Sequence, residues 1–100
     1  MSEEDAEKAR IIIPTITRAL CKLDSEVNTG KRTGSNTFAM TEIQQEAVLR
    51  SFTSDTVKKI VKGYAMDYGF IDVDKDDKVT IAHKGRTWCP DPDEKELLLV

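Results

Sequence analysis

Apolar residues recur at steps of three and four near the start of the chain. Ile12, Ile16, Ala19, Leu20, Leu23 and Val27 fall on one stripe of a helix, with polar positions facing away. Ser2 offers a hydroxyl to cap that helix and Asp5, three positions on, can reach back to complete a capping box. The stripe ends near Asn28. Pro14 has no N–H and its ring displaces the carbonyl of Arg10, so the spacing predicts a kink or a fresh start there. From Asn28 to Asn36 the run NTGKRTGSN has no apolar residue and two glycines, which reads as a loop. A short extended piece, Thr37 to Met40, follows. Thr41 then stands as a cap with Gln44 in the box position, and Ile43, Ala47 and Val48 give a short helix one apolar face, complete by Ser51.

Thr53 or Ser54 can cap the next helix, in which Val57, Ile60, Val61, Tyr64 and Tyr68 share a narrow arc at about 100° per residue. The opposite arc carries Asp55, Lys58, Lys59, Lys62 and Met66. Gly69 sits where a left-handed C-cap is wanted. Phe70 to Val73, the polar turn Asp74 to Asp77, and Lys78 to Ala82 then read as a hairpin. In the tail, Asp91 as cap, Pro92 at the first helical position and Glu94 in the box position predict a short helix. Leu97 to Val100 end the chain on four apolar residues, which either fold back or meet another chain. The chain thus divides into an N-terminal helix over 1–28, a core over 37–88 and an acidic, apolar-ended tail over 89–100.

At 100 residues and 11.2 kDa there is room for one core, which excludes a multi-domain enzyme. An apolar share of 39% beside 33% charged residues is that of a folded globule. No apolar run approaches the roughly 18 residues of a membrane span. The first ten residues, MSEEDAEKAR, are charged where a secretory signal needs an apolar stretch, so the expectation is a cytoplasmic chain with Cys21 and Cys89 as reduced thiols. The net charge of −3 is unevenly spread. Residues 1–28 hold six acids and four bases, residues 89–100 hold four acids and one base, and residues 29–88 hold eight acids and ten bases. The middle is weakly basic, which permits contact with phosphate without requiring it.

The predicted order is helix, short strand, short helix, longer helix, hairpin, an α+β class that is mostly helical with a small antiparallel sheet. With the capped helices TEIQQEAV and TSDTVKKIVKGYAMDYG and the run GFIDVDKDDKVTIAHKGR, the stretch from Thr37 to about Trp88 resembles the winged helix-turn-helix domains of archaeal and bacterial regulators. The hairpin looks like the family's wing, with Lys-Gly-Arg closing the returning strand. The resemblance implies that the second helix of the pair, residues 53–68, lies in the major groove of duplex DNA while the first braces it. Carried over by position, Ser54, Asp55, Lys58, Lys59 and Lys62 face the groove, and Lys31, Arg32, Lys84 and Arg86 are supplementary phosphate contacts. This lysine face has no Arg, Asn or Gln, the usual bidentate base readers, so it suits phosphate better than base edges. The resemblance and the apolar tail together imply a homodimer.

Other chemistry is poorly served. Asp72, Asp74 and Asp76 fall at the first, third and fifth positions of a calcium loop. Position six is Asp77 instead of Gly and position twelve is His83 instead of Glu, so an acidic hairpin turn is the simpler reading. One histidine and two cysteines fall short of four zinc ligands, and neither cysteine is marked as an activated nucleophile. The expectation is therefore a transcriptional regulator, not an enzyme, with no metal, cofactor or small-molecule substrate. The alternative is an interaction module or assembly subunit without DNA contact, favoured by the acidic net charge, the three carboxylates of Asp74, Asp76 and Asp77 at the turn, and the apolar end.

Overall fold

A computed structural model of the protein describes residues 3–49 and 51–89. Seven elements follow in order: α1 Glu3–Asn28, β1 Thr37–Ala39, α2 Met40–Ala47, α3 Ser54–Tyr68, β2 Ile71–Val73, β3 Lys78–Ile81 and α4 His83–Trp88. The architecture is α+β, and no helix among the described residues is long and apolar enough to cross a membrane. The cap at Ser2 and the tail helix from Asp91 lie outside the described residues.

The first helix carries the core. Ala9, Ile12, Ile13, Ile16, Ala19, Leu20 and Leu23 are all buried, the three-and-four spacing made physical. α1 continues unbroken through Pro14, without the fresh start that the sequence suggested. Its packed stripe extends on both sides of the proline, so the one missing donor does not end it. Beside the proline, the hydroxyls of Thr15 and Thr17 donate to the carbonyls of Ile11 and Ile13, each at 2.7 Å.

The strands form one antiparallel sheet in the order β1-β3-β2. Phe38 stands opposite Val79, which in turn stands opposite Val73. Phe38, Val79, Ile71 and Ile81 send apolar groups into the core, where they meet Val57, Ile60, Val61 and Ala65 of α3 and Ile43 of α2. On the outer side the hydroxyls of Thr37 and Thr80 pair at 3.0 Å.

Thr53 caps α3 through its hydroxyl, which accepts from the N–H of Thr56 at 3.2 Å. Gly69 closes it at φ 73°, its N–H donating to the carbonyl of Ala65. α2 differs from the expectation. It starts at Met40 with Ala39 as N-cap and no side-chain cap, so Thr41 and Gln44 form no capping box. The reason is that β1 runs directly into the helix. The N–H of Met40 then donates to the carbonyl of Asp77 in the hairpin turn at 3.3 Å, and the Gln44 amide donates across to the carbonyl of Ser54 at 3.3 Å. α2 ends sooner than expected, with Val48 left-handed at φ 53°.

The larger surprises lie after β3. Lys84 and Arg86, placed by sequence as the close of the returning strand, belong to α4. This helix rests on Phe70, just before β2, and on Ile81 of β3 through Gly85: a Cβ there would overlap the carbonyl oxygen of Phe70 and stand 2.9 Å from Cγ1 of Ile81. Only glycine admits so close an approach. Cys89, just past α4, is joined to Cys21 of α1 by a disulfide with a Cα–Cα distance of 5.8 Å. The expectation of two reduced thiols is thus corrected. α4 lays the C-terminal cysteine beside the flank of α1, where the first cysteine is only half-buried.

Candidate nucleic-acid interface

α3 is anchored by its apolar side and presents the rest. Val57, Ile60, Val61 and Ala65 are buried, while Tyr64 and Tyr68 form the half-buried flanks. Ser54, Asp55, Lys58, Lys59, Lys62 and Met66 are all exposed, the face the sequence assigned to a partner. Met66 is 92% exposed.

The hairpin turn folds toward this face. Asp74 builds the turn: its Oδ1 accepts from the N–H groups of Asp76 and Lys78 at 2.8 and 2.9 Å. Asp77 takes the left-handed conformation, φ 60°, and directs its carboxylate at two lysines one helical turn apart. Lys58 Nζ stands 2.8 Å from Oδ2 and Lys62 Nζ 2.9 Å from Oδ1. Oδ1 is shut off from solvent, with the Lys62 ammonium as its charged neighbour. The Lys58 ammonium, and after it that of Lys62, holds the Asp77 carboxyl below the ordinary carboxylate range. Reciprocally, Asp77 raises Lys58 above the usual lysine value. Lys59 lies 3.9 Å from Asp5 at the start of α1. Three ammonium groups therefore meet three carboxylates, those of Asp5, Asp55 and Asp77, and the local field of the face is close to neutral.

The supplementary cations are elsewhere. Arg32 pairs with Glu42 at 2.7 Å and with Glu26 at 3.9 Å, its guanidinium lying over the Phe38 ring. Arg86 reaches Asp24, at 3.1 and 3.4 Å, and the same buried carboxylate accepts from the amides of Asn36 at 2.5 Å and Asn28 at 3.3 Å. Asp24 and Asp5 are 19 positions apart on α1, which at 1.5 Å per residue separates these anchor points by about 28 Å. Arg32 and Arg86 thus gather at the C-terminal end of α1, far along the helix from the carboxylate that Lys59 meets. Lys31 is exposed in the loop beside Arg32.

Lys84 lies over the ring of Phe70 at 5.3 Å, and Phe70 stacks between Tyr68 and Trp88. Arg18 covers the other end of the stack, 5.5 Å from the Trp88 ring centre. Trp88 is therefore a packing residue at the surface. Among the described residues no group of His, Cys, Asp or Glu is placed to hold a metal ion, and His83 is exposed at the start of α4.

The sequence reasoning missed Asp77 and Asp24. For Asp77 one signal was available: it closes a four-residue turn, where a left-handed residue is common and Asn or Gly is the easy choice. For Asp24 none was, because an acid on the flank of an amphipathic stripe looks solvent-facing. No protein-family model matches the chain, and neither a curated protein nor a solved structure does so significantly.

Proposed function

We propose that this chain is a winged-helix protein that docks α3 on duplex DNA and acts as a small transcriptional regulator. The element order and the β1-β3-β2 sheet support the reading, since the strand before α2 pairs with the returning strand of the hairpin, which serves as the wing. The observation that carries it is the division of α3. Its valine and isoleucine side is spent on the core, and its Ser54, Lys58, Lys59 and Lys62 side faces outward beside a capped N-terminus whose free N–H groups favour phosphate. The ion pairs on this face do not bar docking. Lysines that remain about half exposed gain little from a carboxylate in water, whereas a phosphodiester releases condensed counterions when it replaces one. With lysines alone, affinity is set by the backbone more than by base sequence.

Titration of labelled duplex at several salt concentrations tests the reading. Lys58→Ala, Lys59→Ala and Lys62→Ala together reduce the slope of log affinity against log salt by about 3. Identical affinity and slope in the folded triple variant refute it.

One observation favours a second reading, a protein-interaction module. Met66, 92% exposed, projects from the same neutralised face, and Val48 of the α2–α3 turn is 57% exposed. A partner matched to that face would use its apolar groups and leave the ion pairs intact. Sedimentation at rising concentration, with Met66→Glu as the variant, measures whether the face pairs two copies of the chain.

A further inference from the structure

We infer that Lys58 and Lys62 form a seat for one tetrahedral oxyanion, a phosphodiester of the duplex, and that the chain's own Asp77 carboxylate occupies this seat until DNA displaces it. The inference rests on the DNA reading of α3 and adds the residue that sets its affinity. Two lysines four positions apart on a helix present their ammonium groups to a common point above it. Here that point holds a carboxylate, with Nζ to oxygen distances of 2.8 and 2.9 Å, one contact to each oxygen. A phosphodiester offers the same pair of charged oxygens to the same two donors.

Two further features mark Asp77 as a replaceable occupant. Its backbone sits at φ 60°, which glycine adopts freely, so the turn itself has no need of a charged side chain. Its link to the neighbouring helix runs through the backbone, since the carbonyl accepts from the N–H of Met40, and that bond survives any exchange of the side chain. The other two turn acids do different things: Asp74 holds the turn's N–H groups, and Asp76 is exposed with no ion pair among the described residues.

Asp77→Asn tests this directly, because Asn tolerates the left-handed conformation and keeps the shape while removing the charge. Asp76→Asn removes the same charge one residue away and controls for a general electrostatic gain. The expected result at low salt is duplex binding about threefold to fivefold tighter for Asp77→Asn and less than about twofold for Asp76→Asn. In a Lys58→Ala, Lys62→Ala background the Asp77→Asn gain disappears, a coupling read by the double-mutant cycle. Equal gains for the two wing variants, or a gain that persists without the lysines, overturn the inference. A second arm uses inorganic phosphate as the probe and follows the amide and side-chain NMR signals of Lys58 and Lys62. Phosphate shifts them saturably in the Asp77→Asn protein and much less in the parent; equal response overturns the seat. Should duplex binding prove independent of all three α3 lysines, the DNA reading fails, and the phosphate arm still decides whether Asp77 guards an anion site.

Discussion

Breaking the Cys21–Cys89 bond removes a constraint that spans 68 positions, most of the chain. Its principal effect falls on the unfolded ensemble. Closing a loop of that length costs an open chain about 15 cal/mol/K, which at 25 °C amounts to about 4 kcal/mol of stability conferred by the cross-link. That is a large share of the roughly 5–15 kcal/mol expected of a whole domain. At about 4–8 °C per kcal/mol for a domain of this size, the melting temperature falls by about 15–30 °C. The folded arrangement does not depend on the bond alone, because Arg86 still holds Asp24 and Gly85 still rests on Phe70. Paired circular-dichroism melts of the parent protein with and without a dithiol reductant, and of a Cys21→Ser, Cys89→Ser variant, measure the change. Mass spectrometry confirms the gain of two hydrogens on reduction. A drop of less than about 5 °C in a variant that retains the native spectrum refutes the account.

Gly85→Ala gains about 1 kcal/mol of helix propensity but forces a methyl against the Phe70 carbonyl, and the clash wins by about 1–2 kcal/mol; a rise in the urea midpoint refutes this. Asp24→Ala strips the acceptor shared by Arg86, Asn28 and Asn36 and lowers stability by about 2–3 kcal/mol in the same assay, against no change if the cluster is merely decorative. Because the folded carboxyl of Asp77 is held below its unfolded value, its pairing with Lys58 and Lys62 stabilises the fold above the ordinary carboxylate range and is lost as pH falls through the folded value. Denaturant melts from neutral pH to below about pH 4 therefore show a smaller acid-side loss in Asp77→Asn than in the parent, and parallel curves for the two proteins refute it.

The elements legible in the sequence were those whose signals are local. Ile12, Ile16, Leu20 and Leu23 announce α1 because one period governs both sequence and burial, and Thr53 and Gly69 bound α3 because their caps lie within four residues. What failed had remote causes. The start of α2 is satisfied by the carbonyl of Asp77, far along the chain, so the Thr41–Gln44 pattern was a competing local signal with no occupant. α4 is six residues long with glycine inside it, and it is held by contacts to Phe70, Asp24 and Cys21. Two cysteines 68 positions apart give no hint of adjacency until those contacts are known. The lysine face was legible for the same reason as the stripe behind it. Its answering carboxylate was not, because the approach of the hairpin to α3 is a matter of tertiary packing.

The sulfur bridge also turns residues 21–89 into a closed circuit of backbone, with the largely exposed segment NTGKRTGSN on its rim. A trypsin-like protease cutting after Lys31 or Arg32 opens the circuit at one point and liberates nothing. Both pieces stay on one molecule, running as a single band on an unreduced gel and as two once thiol is added, so a nicked molecule travels with its severed half still attached.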